Sequence, residues 1–331
     1  MRRVFPLWLP LVSGLRLVVT GAGGYLGGEI ACLAASQGHD VRAIVRPGQP
    51  TAHLVGCEIK TFDDLTDGAQ AREAVGEAAD AVIHAAGVFR RVDDMQVDLV
   101  APNIALAEQM VCACAAANAR LVFTSSMAAV RGTGQAPTDV SGAYSVADWN
   151  SVSRRDGPGF EPYQYSKAES ERRAWQLSRE VGLEMVSVCP SMIFGPPRDA
   201  ACAGFSVDMV RAWIDGDSPV QSRLVVDVRD AAAAHVNAAT VPDAAGKRFI
   251  ASCEARVPAS ELAAALRERL TKAGRHEAAA RITADTDFDG GAIPIGEREV
   301  VAAPGMAMLE VSCRPSEETL ADMAEALLRD V

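Results

Sequence analysis

The chain has 331 residues, of which 49% are hydrophobic and 23% are charged, so it can bury a large core as a soluble globular protein. Its formal net charge of −11 disfavours nucleic acid and acidic membrane surfaces as partners, because both would repel it. The eight cysteines are scattered through apolar segments and form no metal-ligand or disulfide pattern. We therefore expect reduced thiols, a cytoplasmic protein and no bound metal.

Residues 1–15 are expected to form an N-terminal extension. Two arginines precede a short apolar run that is interrupted by prolines, a pattern that faintly resembles a signal peptide. Cleavage within this run would leave almost nothing before the first predicted strand, which favours a short arm instead. Elsewhere no segment approaches the roughly 18 apolar residues of a membrane span, so we expect no membrane partner.

Apolar, β-rich runs alternate with amphipathic stretches over the first two-thirds of the chain. The predicted strands are residues 15–20, 41–45, 58–62, 81–84, 120–124 and 184–189. The predicted helices are residues 26–37, 69–78, 101–117 and 161–181. This alternation indicates an α/β protein with a doubly wound parallel sheet, a Rossmann fold.

The alternation becomes irregular after Pro190. Predicted strands at 224–228 and 248–251 flank an alanine-rich helix at 230–239, and helices at 260–270 and 316–329 follow. We expect residues 16–190 to form the Rossmann domain, with 224–251 returning to it. Residues 191–223 and 252–331 should form a smaller C-terminal substrate-binding lobe at the carboxyl ends of the strands.

A glycine-rich loop, residues 20–27 (TGAGGYLG), lies between the first predicted strand and the first predicted helix. Glycine permits a tight turn, a close backbone approach to phosphate and close packing of helix on strand. The helix N-terminus offers free N–H groups to a pyrophosphate. The loop therefore predicts a dinucleotide site formed by Gly21, Gly23, Gly24, Tyr25, Leu26 and Gly27.

The end of the second strand predicts which dinucleotide binds. Arg46 stands where an NAD-binding domain usually carries Asp or Glu, and its guanidinium suits a 2′-phosphate. We therefore expect NADP(H); NAD(H) is the alternative if Arg46 is only a solvated surface side chain. Asp64 is placed to contact the adenine, although a helix N-cap would also explain it.

Tyr163 and Lys167 are four residues apart and share one face of a predicted helix. A nearby ammonium lowers the pKa of a phenol and can hold the nicotinamide ribose, so that Tyr163 exchanges a proton with a substrate oxygen near neutral pH. Ser126 follows the fifth strand, where its hydroxyl can bind the same oxygen. Ser125 is the alternative, because the run holds two serines.

These segments together resemble the extended, epimerase-like branch of the short-chain dehydrogenase/reductase superfamily along nearly the whole chain. The other matching segments are residues 82–87 (VIHAAG), Asn103, 122–126 (VFTSS), 163–167 (YQYSK), 190–196 (PSMIFGP), 226–230 (VDVRD) and 314–320. The resemblance implies that Ser126, Tyr163 and Lys167 are catalytic and that Asn103 supports the proton relay. The further cofactor contacts that it implies are Leu65, Ala85, Ala86, Gly87, Thr124, Pro190, Ser191 and Ile193.

Within this branch the chain is most similar to the dihydroflavonol-reductase/cinnamoyl-CoA-reductase group of NADPH-dependent carbonyl reductases. Sugar-nucleotide epimerases and dehydratases, which retain NAD, are the alternative, but they typically carry Asn at Met192 and dehydratases an acidic pair at Met127 and Ala128. Flavonoid reductases carry a substrate-binding asparagine at Arg131, so flavonoid reduction is not expected. The leading hypothesis is therefore reversible hydride transfer to a simple ketone or aldehyde; a non-catalytic dinucleotide-sensing protein is a third hypothesis.

Several side chains at the expected rim of the cleft are candidates for substrate binding. These are Phe89, Arg90, Arg91, Arg131, Met192, Phe194, Phe205 and Trp213. The arginines could clamp an anionic substrate and the aromatic rings could line an apolar pocket, although solvated loops and core packing explain them equally well. His84 and His235 are expected to be structural. The helices at 101–117 and 161–181 could pair across a homodimer, or only cover the sheet.

Overall fold

The computed structural model describes residues 14–89, 94–199, 204–286 and 293–328. Its strands are β1 (Arg16–Thr20), β2 (Asp40–Val45), β3 (Glu58–Thr61), β4 (Ala81–His84), β5 (Arg120–Thr124), β6 (Met185–Pro190), β7 (Met192–Phe194), β8 (Val220–Gln221), β9 (Val225–Asp227), β10 (Arg248–Ala251) and β11 (Ala284–Asp285). Seven of them form one sheet in the order β10-β6-β5-β4-β1-β2-β3, and every pairing in it is parallel. The fold class predicted from the sequence is confirmed.

The helices lie between and after these strands. They are α1 (Tyr25–Ser36), α2 (Gly68–Val75), α3 (Ala101–Ala117), α4 (Met127–Val130), α5 (Glu161–Val181), α6 (Phe205–Asp215), α7 (Val228–Thr240), α8 (Ala259–Lys272), α9 (His276–Arg281), α10 (Ala303–Met308) and α11 (Ser316–Leu328). A π-helical turn, Gln96–Val100, runs directly into α3.

The two faces of the sheet have separate apolar cores. Leu17 and Val19 of β1 point to the core that contains α1 and α7, and Val18 points to the core that contains α2, α3 and α5. Because every second residue of a strand faces the same side, a strand covered on both faces must be apolar throughout. This explains why the centre of β1, residues 17–19, is apolar at three successive positions.

A third apolar cluster forms the C-terminal lobe. Phe194, Trp213, Leu266, Leu320 and Met323 pack together there, contributed by β7, α6, α8 and α11. The predicted strand at 224–228 is shorter than expected, because the chain enters helix α7 directly after Asp227, and it pairs with β7 instead of the large sheet. The sequence reasoning did not identify α4, α6, α9 or α10, and its division of the chain into domains stays a prediction.

Within the described part of the chain, the stretch Gln96–Ala117 is long and apolar enough, by length and composition alone, to cross a membrane. In the fold α3 packs against α2 and α5. Ala107, Met110 and Val111 are completely buried by this packing. The apolar character of this stretch is thus what a core helix of the sheet requires.

The cysteines that the structure describes are free thiols. Cys114 and Cys189 are fully buried, and burial raises the pKa of both thiols, that of Cys189 to about 12. Both therefore behave as small apolar side chains. Cys202 lies outside the described residues.

Candidate active site

The glycine loop brings the start of α1 against the turn that follows β1. Gly21 has a φ of +74°, and a Cβ there would lie 2.8 Å from the backbone nitrogen of Ala86. A Cβ on Gly27 would lie 2.2 Å from the carbonyl oxygen of Gly21. Helix α1 begins after Gly24, and no side chain caps its N-terminus. The first N–H groups of the helix therefore face the loop without a side-chain acceptor. This is the arrangement that binds a pyrophosphate.

The other predicted members of the loop have structural partners. The Tyr25 hydroxyl donates a hydrogen bond of 2.6 Å to the carbonyl oxygen of Gly195, which ties the loop to the segment after β7. Leu26 packs against the core on the α1 face of the sheet. A Cβ on Gly23 would lie 2.7 Å from that of Gln49, so the turn after β2 lies over the loop.

Arg46 directly follows β2 and is exposed, and no described residue forms a hydrogen bond or ion pair with its side chain. Its position fits the predicted contact with a 2′-phosphate. Asp64 is exposed too, and its carboxylate accepts hydrogen bonds from Thr66. The N-cap of α2 is Asp67, not Asp64, so a helix cap does not explain Asp64. The neighbouring Leu65 is buried in the core.

The residues after β4 lie beside the glycine loop. The Ala86 N–H donates to the Thr20 hydroxyl at 3.2 Å, and Ala85 and Ala86 are half-buried. The Thr20 hydroxyl also hydrogen-bonds with Nδ1 of His84 at 2.8 Å. Burial, with a smaller effect of the Lys167 charge, lowers the pKa of His84 to about 3. His84 is thus a neutral side chain that joins two strand ends. Gly87, next along the chain, is exposed.

The predicted catalytic side chains meet at the carboxyl end of β5. Ser126 is the N-cap of α4, where its hydroxyl accepts from the Ala128 N–H at 3.1 Å, and its side chain lies beside Tyr163 at the start of α5. One turn further along α5, Nζ of Lys167 donates to the carbonyl oxygen of Thr124 at 2.9 Å. The sequence spacing thus brings three side chains from two elements to the carboxyl end of β5.

The two serines of the VFTSS segment have different surroundings. The Ser125 hydroxyl is buried and donates to Glu171 at 2.6 Å. The Ser126 hydroxyl is half-buried and faces Tyr163. Because successive side chains of an extended segment point to opposite sides, only one of the two can face the cleft. The geometry favours Ser126.

The expected lowering of the Tyr163 pKa is not found in the structure. Burial raises the pKa of Tyr163 to about 12, and the neighbouring Ser126 side chain opposes that rise only in part. Lys167 is not among the groups that shift this pKa, and its ammonium is hydrogen-bonded to the Thr124 carbonyl oxygen. Burial lowers the pKa of Lys167 to about 8, while Glu171 and then Cys189 act in the opposite direction.

Asn103 contacts the YQYSK segment at Ser166, the residue before Lys167. Its Nδ2 donates to the Ser166 hydroxyl at 3.1 Å and to the Val88 carbonyl oxygen at 3.0 Å, and its Oδ1 accepts from the Val88 N–H at 2.7 Å. It therefore joins α3, α5 and the loop after β4. The structure shows no direct bond from Asn103 to Tyr163 or Lys167.

An aromatic cluster flanks Tyr163. The rings of Phe89 and Tyr163 are stacked with centroids 4.3 Å apart, and Phe205 lies 4.9 Å from Phe89. Phe160, which the sequence reasoning missed, meets Phe205 edge-on at 5.5 Å. Phe89 and Phe160 are 40% and 44% exposed, which is unusual for phenylalanine. No periodic pattern marks Phe160, because it lies in a loop.

Two other predicted substrate residues lie elsewhere. Phe194 is completely buried against Trp213 in the core of the C-terminal lobe, so the prediction that it lines the cleft is wrong. Met192 is half-buried at the edge of the same core, and its sulfur accepts a hydrogen bond from Ser206 at 3.5 Å.

Arg131 is an ion-pair residue in the structure. Its guanidinium lies 2.9 Å from the carboxylate of Glu299, which Arg256 also binds through two hydrogen bonds of 3.0 Å. The ring of Tyr144 packs under the same guanidinium. Arg131 is thus already bound to a carboxylate of the chain itself. Arg90 and Arg91 lie outside the described residues.

The segment after β6 presents a polar atom that lacks a partner. The Ser191 hydroxyl is buried, and no described atom hydrogen-bonds with it. It follows Pro190, the last residue of β6, while Ile193 packs against the core on the α1 face. Together with the uncapped start of α1, this hydroxyl at the same edge of the sheet fits a nicotinamide dinucleotide.

His235 on α7 is structural, as predicted. Its Nδ1 donates to the Ala231 carbonyl oxygen at 2.7 Å, and its Nε2 accepts from the Thr124 hydroxyl at 3.0 Å. Burial lowers its pKa to about 4, so the ring is neutral. Thr124 thereby holds Lys167 through its carbonyl group and His235 through its hydroxyl.

The parallel sheet with a glycine loop after its first strand defines a Rossmann-type α/β protein. The NAD dependent epimerase/dehydratase family matches residues 17–251, and the chain belongs to this family. Cinnamoyl-CoA reductase 2 of Arabidopsis thaliana is 31% identical, over 73% of this chain and 74% of that protein. Dihydroflavonol 4-reductase of the same plant is 28% identical, over 54% of this chain and 49% of that protein. The predicted similarity to this reductase group is confirmed.

A comparison of structures agrees on the fold. The structure of yeast methylglyoxal/isovaleraldehyde reductase complexed with NADPH superposes with a TM-score of 0.80 at 21% identity. The match covers 96% of this chain and 99% of the yeast protein.

Proposed function

We propose that the chain is an NADP(H)-dependent carbonyl reductase that transfers hydride reversibly between the nicotinamide and a ketone or aldehyde. The observation that carries this proposal is the convergence of the Ser126 and Tyr163 side chains at the carboxyl end of β5, with Lys167 one helical turn away. Two hydroxyls that converge on one point can both bind a carbonyl oxygen. The reductase relatives of the family support the same chemistry.

The proposed roles at the carbonyl oxygen differ among Ser126, Tyr163 and Lys167. The bound nicotinamide supplies the hydride. Ser126 donates a hydrogen bond that orients the oxygen and stabilises charge developing on it. Tyr163 donates the proton; with a pKa of about 12 it is protonated at neutral pH and ready to act as the acid of the reductive direction. The Lys167 ammonium, positioned by Thr124, stabilises the phenolate that remains.

The chain itself supplies a cradle for NADP(H). The N-terminus of α1 after Gly24 would bind the pyrophosphate, and the exposed Arg46 would bind the 2′-phosphate. Ser191 would hydrogen-bond with the nicotinamide end. The yeast reductase of the same fold was crystallised with NADPH, which agrees with this choice.

The aromatic cluster suggests which carbonyl compounds bind. Phe89 and Phe160 expose apolar rings beside Tyr163, so we propose a substrate with an apolar or aromatic group next to its carbonyl. Arg131 supports an anionic substrate less well than expected, because it is paired with Glu299. The prediction of an anionic substrate now depends on Arg90 and Arg91.

The test is an NADPH-consumption screen of the purified chain over aldehydes, ketones and keto acids, with Tyr163→Phe as the critical variant. We expect turnover of apolar carbonyl compounds, reduced at least about 100-fold in Tyr163→Phe, with NADPH binding retained. Tyr165→Phe, two residues along the same helix, is the matched control and should keep full turnover. Tightly bound NAD with no consumption of NADPH would instead indicate the epimerase chemistry.

A further inference from the structure

A buried glutamate beneath the site takes no part in the proposed mechanism. Glu171 lies on α5 four residues after Lys167, and its side chain has 0% exposure. A buried carboxylate is costly unless it is paired and hydrogen-bonded. Arg248 donates two hydrogen bonds to it, at 2.8 and 2.9 Å. Ser125 and Ser187 each donate one more at 2.6 Å.

These bonds connect Glu171 to the end of β5 and, through Ser187, to β6. Ser125 follows β5 directly and precedes Ser126, so the Glu171 carboxylate holds the backbone from which Ser126 projects. Arg248, on β10, also packs 3.9 Å over the ring of Trp149 and donates to the Val146 carbonyl oxygen. The pair therefore joins α5, β5, β10 and the loop between α4 and α5.

Glu171 also differs in its charge from the other titratable groups around Lys167. The titratable groups that face Lys167 from the surrounding elements are His84 on β4, Tyr163 and Glu171 on α5, Cys189 on β6 and His235 on α7. Their surroundings keep both imidazoles, the phenol and the thiol uncharged at neutral pH. Burial raises the pKa of Glu171, but Arg248 and the two serines hold it below its usual range. Among the described residues, Glu171 is thus the ionised neighbour of Lys167.

We propose, building on the carbonyl reductase assignment, that Glu171 is a positioning residue with two roles. Through Ser125 it fixes the end of β5, so that Ser126 faces Tyr163. Through its charge, one helical turn from Lys167, it keeps that side chain an ammonium in buried surroundings.

The charge role is tested in the full chain by Glu171→Gln, which removes the charge and nearly keeps the shape. The chain has four lysines, Lys60, Lys167, Lys247 and Lys272, so ¹⁵N-lysine NMR can follow Lys167 directly, assigned with Lys167→Arg. We expect the pKa of Lys167 to fall from about 8 by roughly one unit or more. The apparent pKa of the alkaline limb in the pH profile of kcat/KM for reduction should fall by the same amount. The reason is that a deprotonated Lys167 no longer stabilises the phenolate.

Glu180→Gln on the same helix is the matched control, since Glu180 is exposed and, among the residues that the structure describes, hydrogen-bonds only with Gln176. It should leave both the Lys167 pKa and the turnover unchanged. If Glu171→Gln does not fold because Arg248 loses its partner, the double variant Glu171→Gln/Arg248→Gln removes both buried charges. The Lys167 pKa should fall in the double variant too, because Glu171, and not Arg248, is among the groups that shift that pKa.

The positioning role is tested by Ser125→Ala, which keeps the charge but cuts the link to β5. It should lower kcat at least about fivefold, for the loss of about one hydrogen bond, and leave the Lys167 pKa unchanged. An unchanged Lys167 pKa in folded Glu171→Gln, or full kcat in Ser125→Ala, would overturn the corresponding role. The NMR titration needs no turnover, so a failure of the carbonyl reductase assignment would be recognised separately by an inactive wild-type protein.

Discussion

Arg46 is the residue on which the choice between the two dinucleotides depends. It extends from the end of β2 into solvent without a described partner, so its charge is available to a ligand. A carboxylate at the same point would repel a 2′-phosphate and accept hydrogen bonds from the ribose hydroxyls. The residue type at this one position therefore favours one cofactor and disfavours the other.

We expect Arg46→Asp to reverse or sharply reduce the preference for NADPH over NADH. A charge-assisted hydrogen bond contributes about 1.5–3 kcal/mol, which corresponds to a change of roughly 10- to 150-fold in the ratio of the two kcat/KM values. Arg179→Asp, an equal change of charge at an exposed position near the end of α5, is the control. A ratio equally unchanged in both variants would refute the cofactor assignment.

At the scale of the elements, the phosphate loop is defined by how closely α1 approaches β1. In a helix alanine is ordinarily favoured over glycine by about 1 kcal/mol. At Gly27 this preference is outweighed, because the added Cβ would lie 2.2 Å from the Gly21 carbonyl oxygen. The backbone on both sides of the contact would have to move apart.

We therefore expect Gly27→Ala to weaken NADPH binding at least about tenfold, because the added Cβ displaces the turn from the helix N-terminus that would bind the pyrophosphate. Isothermal titration calorimetry would measure the dissociation constant. Gly38→Ala provides the comparison: Gly38 follows α1 at the other end with a φ of +86° and open space around it. That variant should cost about 1 kcal/mol of stability and leave the dissociation constant unchanged. Equal affinities in the two variants would contradict the role given to Gly27.

The elements of the sheet could be predicted from the sequence because their signals are local. Strands β1, β2, β4, β5 and β6 are apolar runs, and helices α3 and α5 are long. The helices α6 and α10 were missed; they pack against elements that are distant along the chain, α6 against α9 and α10 against β10. The glycine loop and the Ser126, Tyr163 and Lys167 set could be found because each stands at a predicted strand end or helix start.

What could not be predicted is the set of buried charges. Glu171 reads as an ordinary helical glutamate, and only the fold brings Arg248, 77 residues away, to its side. Arg131 reads as a loop arginine, and only the fold pairs it with Glu299. The Tyr163 pKa was misjudged for the same reason, since burial outweighs the influence of a neighbouring lysine. Long-range electrostatics requires the three-dimensional structure.

At the scale of the whole molecule, an ion pair joins the segment after β7 to the nucleotide-binding half. Arg198 binds the carboxylate of Glu29 on α1 through two hydrogen bonds, at 2.5 and 2.9 Å. Glu29 is buried, and the Tyr25 bond to Gly195 lies one turn away. The segment is thus fixed along the start of α1.

We expect Arg198→Ala to destabilise the protein by about 1–3 kcal/mol, because it leaves the Glu29 carboxylate buried without its cation. Thermal unfolding monitored by circular dichroism would show this as a lower Tm. The double variant Glu29→Gln/Arg198→Ala removes the unpaired charge and should recover part of the loss. An Arg198→Ala variant with the wild-type Tm would show that the pair does not stabilise the fold.

The position of β10 at one edge of the sheet also determines how late in the synthesis of the chain β6 can pair on its outer side. Its neighbour β6 ends at Pro190, but β10 begins only at Arg248, after β7, α6, β9 and α7. During synthesis, β6 therefore emerges from the ribosome well before the strand that covers its outer side. Until then its backbone N–H and C=O groups form an open edge that invites pairing with other chains. Protection of nascent chains from aggregation should thus matter most in the interval between the synthesis of these two strands.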